Sequence, residues 1–129
     1  MYRASPHAIG DLADWVRGIA SFDRAHLLNH GVPEAQVVEQ VVECVPFMEL
    51  VESNFFLDAN VLQVDAEGYD AEVIRAIDFS RFRPRLLKYE HKNLTDNDSL
   101  STVLLLKRIG YRAWRGAEDT VCWLESRAG

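Results

Sequence analysis

The sequence predicts an open α/β sheet, mostly parallel and finished by an antiparallel C-terminal hairpin, in a single domain. Three observations predict it. Two short strand-like runs, the mostly apolar Val61–Val64 and Leu86–Glu90, each lead into a segment with helical spacing of apolar residues. Strands separated by helices run parallel through crossover connections, because a helix must cover the sheet and return the chain. The last two strand-like runs, Tyr111–Trp114 and Thr120–Leu124, are joined only by Gly116 to Asp119, and so short a turn forces them antiparallel.

The elements read in order as follows. Tyr2-Arg3-Ala4 fits a short strand, and Arg24 to Asn29 fits a short helix stopped at Gly31. For Val37 to Val45 the signals conflict. The valines at 37, 38, 41, 42 and 45 have helical spacing, yet β-branched side chains favour strands. The reading adopted is a strand over Val41 to Val45, followed by a helix from Pro46 with Phe47, Leu50 and Val51 on one face. After Val61–Val64, Gly68 permits a sharp turn and Asp70 suits a helix cap. Tyr69, Val73, Ile74 and Ile77 form the apolar stripe of that helix, and Pro84 closes the connector that follows. Beyond Leu86–Glu90, Asp96 to Ser99 supply caps for a helix with Leu100, Val103, Leu104 and Ile109 as its stripe. Lys107 and Arg108 suit its C-terminal end and Gly110 its stop.

Composition narrows the function. The chain of 129 residues is 48% hydrophobic and 26% charged, an ordinary globular balance that argues against disorder. A formal net charge of −6 argues against nucleic acid or a polybasic membrane surface as partner, since both want clustered cations. Arg81, Arg83 and Arg85 do cluster, but within a prolyl and aromatic connector. No charged-then-apolar leader opens the chain and no apolar run reaches the ~18 residues of a membrane span, so a cytoplasmic location is expected. Cys44 and Cys122 match no zinc or redox spacing and read as small hydrophobes. Asn93-Leu94-Thr95 and Asn97-Asp98-Ser99 match the glycosylation pattern by chance in polar loops.

In an open parallel sheet, ligands gather beyond the carboxyl ends of the strands. Two strand ends here carry ionisable groups: Asp65 and Glu67 after the first, Glu90 and His91 at the second. If the strands are neighbours, their ends are about 5 Å apart, and all four groups are expected to face one crevice. Such a set supplies a general base for a hydroxyl or amine nucleophile. It equally supplies oxygen ligands from Asp65, Glu67 and Glu90 for a divalent metal, with His91 assisting. The plainer alternative is that these carboxylates cap the following helices and are solvated. His26 and His30 share a helical face but lack the glutamate of a protease zinc motif, and Ser21 lacks a glycine-flanked elbow. Trp15, Trp114 and Trp123 are candidates for a ligand wall, with core packing or edge cover the simpler role for the two in strands. The seven glycines, at 10, 18, 31, 68, 110, 116 and 129, never approach the G-x-G spacing that an adenosyl or dinucleotide turn usually uses.

The run Val61-Leu62-Gln63-Val64-Asp65-Ala66-Glu67-Gly68-Tyr69-Asp70, followed by Glu72-Val73-Ile74, resembles the hallmark strand and helix of the FkbM family of methyltransferases. Ile77-Asp78-Phe79, Pro84, Tyr89-Glu90-His91 and Gly110-Tyr111 fall in that family's order, and Tyr2-Arg3 and Ala20-Ser21-Phe22 resemble it more loosely. Residues 60–124 carry the resemblance as a core, and 1–59 form a divergent N-terminal segment of the same domain, 1–129. The resemblance implies a partial Rossmann-like methyltransferase sheet that moves a methyl group from S-adenosylmethionine to a hydroxyl of a small molecule or sugar. By the same resemblance Asp65, Glu67 and Gly68 lie at the cofactor, with Glu90 and His91 across the crevice; His91, Glu90, Asp65 and Glu67 are the catalytic candidates, His91 the first choice of base because an imidazole titrates near working pH. The family's glycine loop is absent from the chain, which therefore reads as the C-terminal half of such a domain. Two further readings stay open: a non-catalytic remnant of the same fold, and a carboxylate-held divalent metal serving another transfer. Without the glycine-loop strand beside it, Val61–Val64 becomes an edge that invites self-association. Val41–Val45, Tyr2–Ala4 or a second subunit is expected to cover it.

Overall fold

A computed structural model describes residues 1–5 and 18–125; Trp15 lies outside them. The chain forms two units, Met1–Cys44 and Val45–Gly129, each built on its own sheet.

In the first unit three short strands pair antiparallel in the order β2-β1-β3, with β1 at Tyr2–Ala4, β2 at Ala20–Ser21 and β3 at Val37–Glu39. Helix α1, Arg24–Asn29, starts where the Asp23 carboxylate accepts the Ala25 N–H at 2.9 Å, satisfying one of the orphan donors of a helix start. Ala4, Ile19, Leu27 and Val32 form its small core. The strand expected over Val41–Val45 sits four residues earlier. Val37 and Val38 pair with Ala4 and Arg3, while Val41 is 95% exposed and the segment after it is irregular. Both valine groups have strand propensity; the one within reach of β1 took the ladder. Cys44 is exposed, so its expected role as a small hydrophobe is corrected.

The second unit opens with α2, Phe47–Ser53, preceded by Pro46 as expected. Its four-stranded sheet has the order β4-β5-β7-β6, with β4 at Val61–Val64, β5 at Leu86–Glu90, β6 at Tyr111–Arg115 and β7 at Asp119–Leu124. β4 and β5 are parallel, joined through α3 at Asp70–Arg75; β5 pairs antiparallel with β7, and β7 with β6. The expectation of a mostly parallel sheet is therefore corrected: one of the three ladders is parallel. The hairpin does not simply extend the edge, because β7 folds back and inserts between β5 and β6. The fold is mixed α/β.

Helix α4, Asp96–Ile109, is capped by Thr95, whose hydroxyl accepts the Asp98 N–H at 3.1 Å. It ends on Gly110 at φ 106°, a left-handed stop that costs glycine little. The stripe predicted for this helix is rotated. Leu100 and Leu104 are exposed, and Ser99, Thr102 and Leu106 are buried instead. Apolar count alone misled here, since the helix has leucines on several sides. The core joins Val64, Ile74, Phe82, Leu87, Tyr89, Leu106, Tyr111 and Cys122, and the Tyr111 hydroxyl donates to the Pro84 carbonyl at 2.6 Å. Trp114 and Trp123 are 62% and 37% exposed, so neither is core. Among the described residues β4 pairs with β5 alone, and Val61 is 60% exposed. Tyr2–Ala4 has both edges committed to β2 and β3, and Val41–Val45 forms no strand; neither supplies the strand partner expected for β4.

Candidate active site

The parallel β4–β5 ladder is in register from Val61↔Leu86 to Val64↔Tyr89, so both strands release their chains at the same level. After β4 the chain turns sharply. Tyr69 N–H donates to the Ala66 carbonyl at 3.0 Å, and the two residues between, Glu67 and Gly68, both have positive φ, 48° and 94°. That is the pattern of a type I′ turn. Gly68 is required there twice over: L-residues resist this φ, and a Cβ would lie 3.3 Å from the Asn93 carbonyl oxygen.

The turn and the end of β5 bring three carboxylates together. Oxygens of Asp65, Glu67 and Glu90 all lie within 4.8 Å of one another. Asp65 is exposed and the other two are half-buried. Asn93 ties the cluster: its Nδ2 donates to Glu90 at 2.6 Å and reaches Glu67 at 3.4 Å. Glu90's pKa is pushed above the ordinary carboxylate range, chiefly by burial, against the lowering effect of the Asn93 bond; the negative Asp65, Glu67 and Asp70 add to the rise. A carboxylate held in this way is a stronger proton acceptor than a free one. Concentrated negative charge of this kind also suits a cation, whether a hard metal ion or an organic one.

His91 does not join them. Successive residues on a strand point to opposite faces, and the alternation continues past the end of β5: Leu87, Tyr89 and His91 are buried on one side, Leu86, Lys88 and Glu90 lie on the other. The expectation that Glu90 and His91 open on a common crevice is thereby corrected. His91 is 5% exposed and shares a 3.0 Å hydrogen bond between its Nδ1 and the Thr120 hydroxyl on β7. Its pKa is lowered, first by burial and then by the positive Arg115, with Asp119 opposing. Its backbone N–H donates to the Glu118 carbonyl at 2.9 Å, so the residue stitches β5 to the β6–β7 turn.

Two residues beside the cluster have roles that the sequence reading missed. Asp70 is not the helix cap it was expected to be. α3 has Tyr69 at its cap position without a side-chain capping bond to the helix, and the Asp70 carboxylate, 0% exposed, accepts backbone N–H groups from Ala66 at 3.2 Å and Glu90 at 3.1 Å. Its position one residue past a glycine turn was the available signal, read as local when the partner was 20 residues away. Asn93 had no signal beyond its polarity.

A family model described as Methyltransferase FkbM domain matches residues 6–113 of the chain. No curated protein and no solved structure gives a significant match. Among the described residues, no helix is long and apolar enough to cross a membrane.

Proposed function

Because this chain belongs to the FkbM methyltransferase domain family, we propose that it serves methyl transfer from S-adenosylmethionine to the hydroxyl oxygen of a small molecule or sugar, in the cytoplasm. The observation that carries the placement is the convergence of Asp65, Glu67 and Glu90 from two parallel strand ends. Three carboxylates fit the cationic end of that cofactor, whose sulfonium and ammonium groups are both positive, by direct charge complementarity. Gly68 keeps the backbone of the turn open where a side chain would crowd it.

Bound there, S-adenosylmethionine supplies an electrophilic methyl group on a positively charged sulfur. The chain's residues do the rest. Asp65 and Glu67 would hold the cofactor's positive end. Glu90, with its raised affinity for protons, is the residue that would take the proton of the acceptor hydroxyl. Asn93 fixes the Glu90 carboxylate, so that its second oxygen is aimed while the first is bonded. We assign His91 a supporting place, holding β5 against β7 through Thr120, in preference to the role of base.

One observation favours a second reading, a non-catalytic member of the family: no two of the seven glycines approach the spacing of an adenosyl-binding turn. Calorimetric titration with S-adenosylmethionine separates the two. Binding with a dissociation constant in the micromolar range, weakened at least about tenfold in Glu67→Gln, supports the enzyme reading. No heat up to millimolar cofactor overturns it and leaves the non-catalytic reading.

A further inference from the structure

The Asp70 carboxylate is the most deeply buried acid among the described residues, at 0% exposure, and it touches none of the three site carboxylates by hydrogen bond. A buried carboxylate is costly unless its oxygens are satisfied. This one is satisfied in a particular way. One oxygen accepts the N–H of Ala66, the residue between Asp65 and Glu67; the other accepts the N–H of Glu90 itself. The two donors lie on different strand ends, each within one residue of the acids that meet in the cluster.

We propose that Asp70 is a positioning residue: its carboxylate clasps the turn after β4 to the end of β5 and so sets the separation of Asp65 and Glu67 from Glu90. The β4–β5 ladder alone does not do this. Its register ends at Val64↔Tyr89, and beyond that level no ladder joins the chains: one enters a left-handed turn and the other runs on to Lys92 and Asn93. Asp70 bridges the first open step. Ionised, it accepts both N–H groups at once; an amide of the same shape accepts one and turns its own N–H₂ toward the other. The Asn93 carboxamide, which spans Glu90 and Glu67, reports the separation directly, since one nitrogen reaches both acids only while they stay close.

The inference rests on the reading of this cluster as the site, but its experiment uses neither cofactor nor acceptor, so silence toward S-adenosylmethionine leaves it standing. It compares ¹⁵N spectra and amide exchange of the full chain with those of Asp70→Asn and Asp70→Ala. Expected in Asp70→Asn is a folded protein in which the Ala66 and Glu90 amides exchange at least about tenfold faster and the Asn93 side-chain amide signals move toward solvent-like positions. Leu106→Ala, a core change distant in sequence, should lower stability while leaving the Asn93 signals in place, which separates positioning from general loosening. The Asn substitution keeps size and one acceptor, so it carries the test should Asp70→Ala fail to fold. Unmoved Asn93 signals in folded Asp70→Asn, or Ala66 and Glu90 amides exchanging at the native rate, would overturn the proposal.

Discussion

Replacing Gly68 with Ala should destabilise the second unit by about 1 kcal/mol, and the figure can be built from the turn. At φ 94° an alanine meets the left-handed penalty of roughly 1–2 kcal/mol. Against this stands a gain of about 0.4–1 kcal/mol, because alanine restricts the unfolded chain more than glycine does. The added Cβ also lies 3.3 Å from the Asn93 carbonyl oxygen, which must retreat by a few tenths of an ångström. A net loss of about 1 kcal/mol corresponds to a fall in melting temperature of roughly 4–8 °C for a domain of this size class. Thermal unfolding followed by circular dichroism measures it. Gly68→Asn should fall by less, since Asn tolerates left-handed backbone better. A Gly68→Ala protein melting within about 1 °C of the native one, or an Asn variant worse than the Ala variant, would refute the account of the turn.

Two pH predictions follow from the burial of Glu90 and His91. Glu90's pKa is raised in the folded state, so the folded protein holds its proton longer than the unfolded chain does, and stability is lost as pH rises from the unfolded carboxylate value through the raised one. Glu90→Gln, which removes the charge and keeps an acceptor for Asn93, should therefore be more stable than the native chain at pH 7, with the advantage fading below about pH 4. A melting-temperature difference that does not change with pH would contradict this. For His91 the sign is opposite: its folded pKa is lowered, so the unfolded chain protonates first and stability falls as pH drops through about 6.5 toward the folded value. His91→Asn should flatten that part of the stability curve in chemical denaturation at stepped pH, and an unchanged slope would show that His91 does not titrate as its burial requires.

Much of the second unit was legible in the sequence because its signals were local and mutually consistent. Val61–Val64 and Leu86–Glu90 are short apolar runs with turn residues at both ends, and Gly110 marked the end of α4. Asp65, Glu67 and Glu90 could be placed together because register follows once two strands are known to be parallel neighbours. The rest has more than one cause. Whether His91 faces the cluster depends on strand parity, which the alternation of Leu87 and Tyr89 carries. The insertion of β7 and the reach of Asp70 to Glu90 depend on contacts between distant residues, and no local pattern encodes them. In α4 the choice of buried face fell to Thr102 and Leu106 over the more apolar Leu100 and Leu104, because the neighbouring elements, not hydropathy, decide which side is covered.

The place of β7 has a consequence for how the molecule comes into being. β7, which follows both of its partners along the chain, is hydrogen-bonded on both edges, to Leu86–Glu90 and to Tyr111–Arg115. The two partner strands are synthesised before it, at roughly 5–20 residues per second, and among the described residues they are joined in the sheet through β7 alone. Until β7 is in place the edges of β5 and β6 that it joins have no ladder between them, and Glu90 sits on a strand with one neighbour, β4.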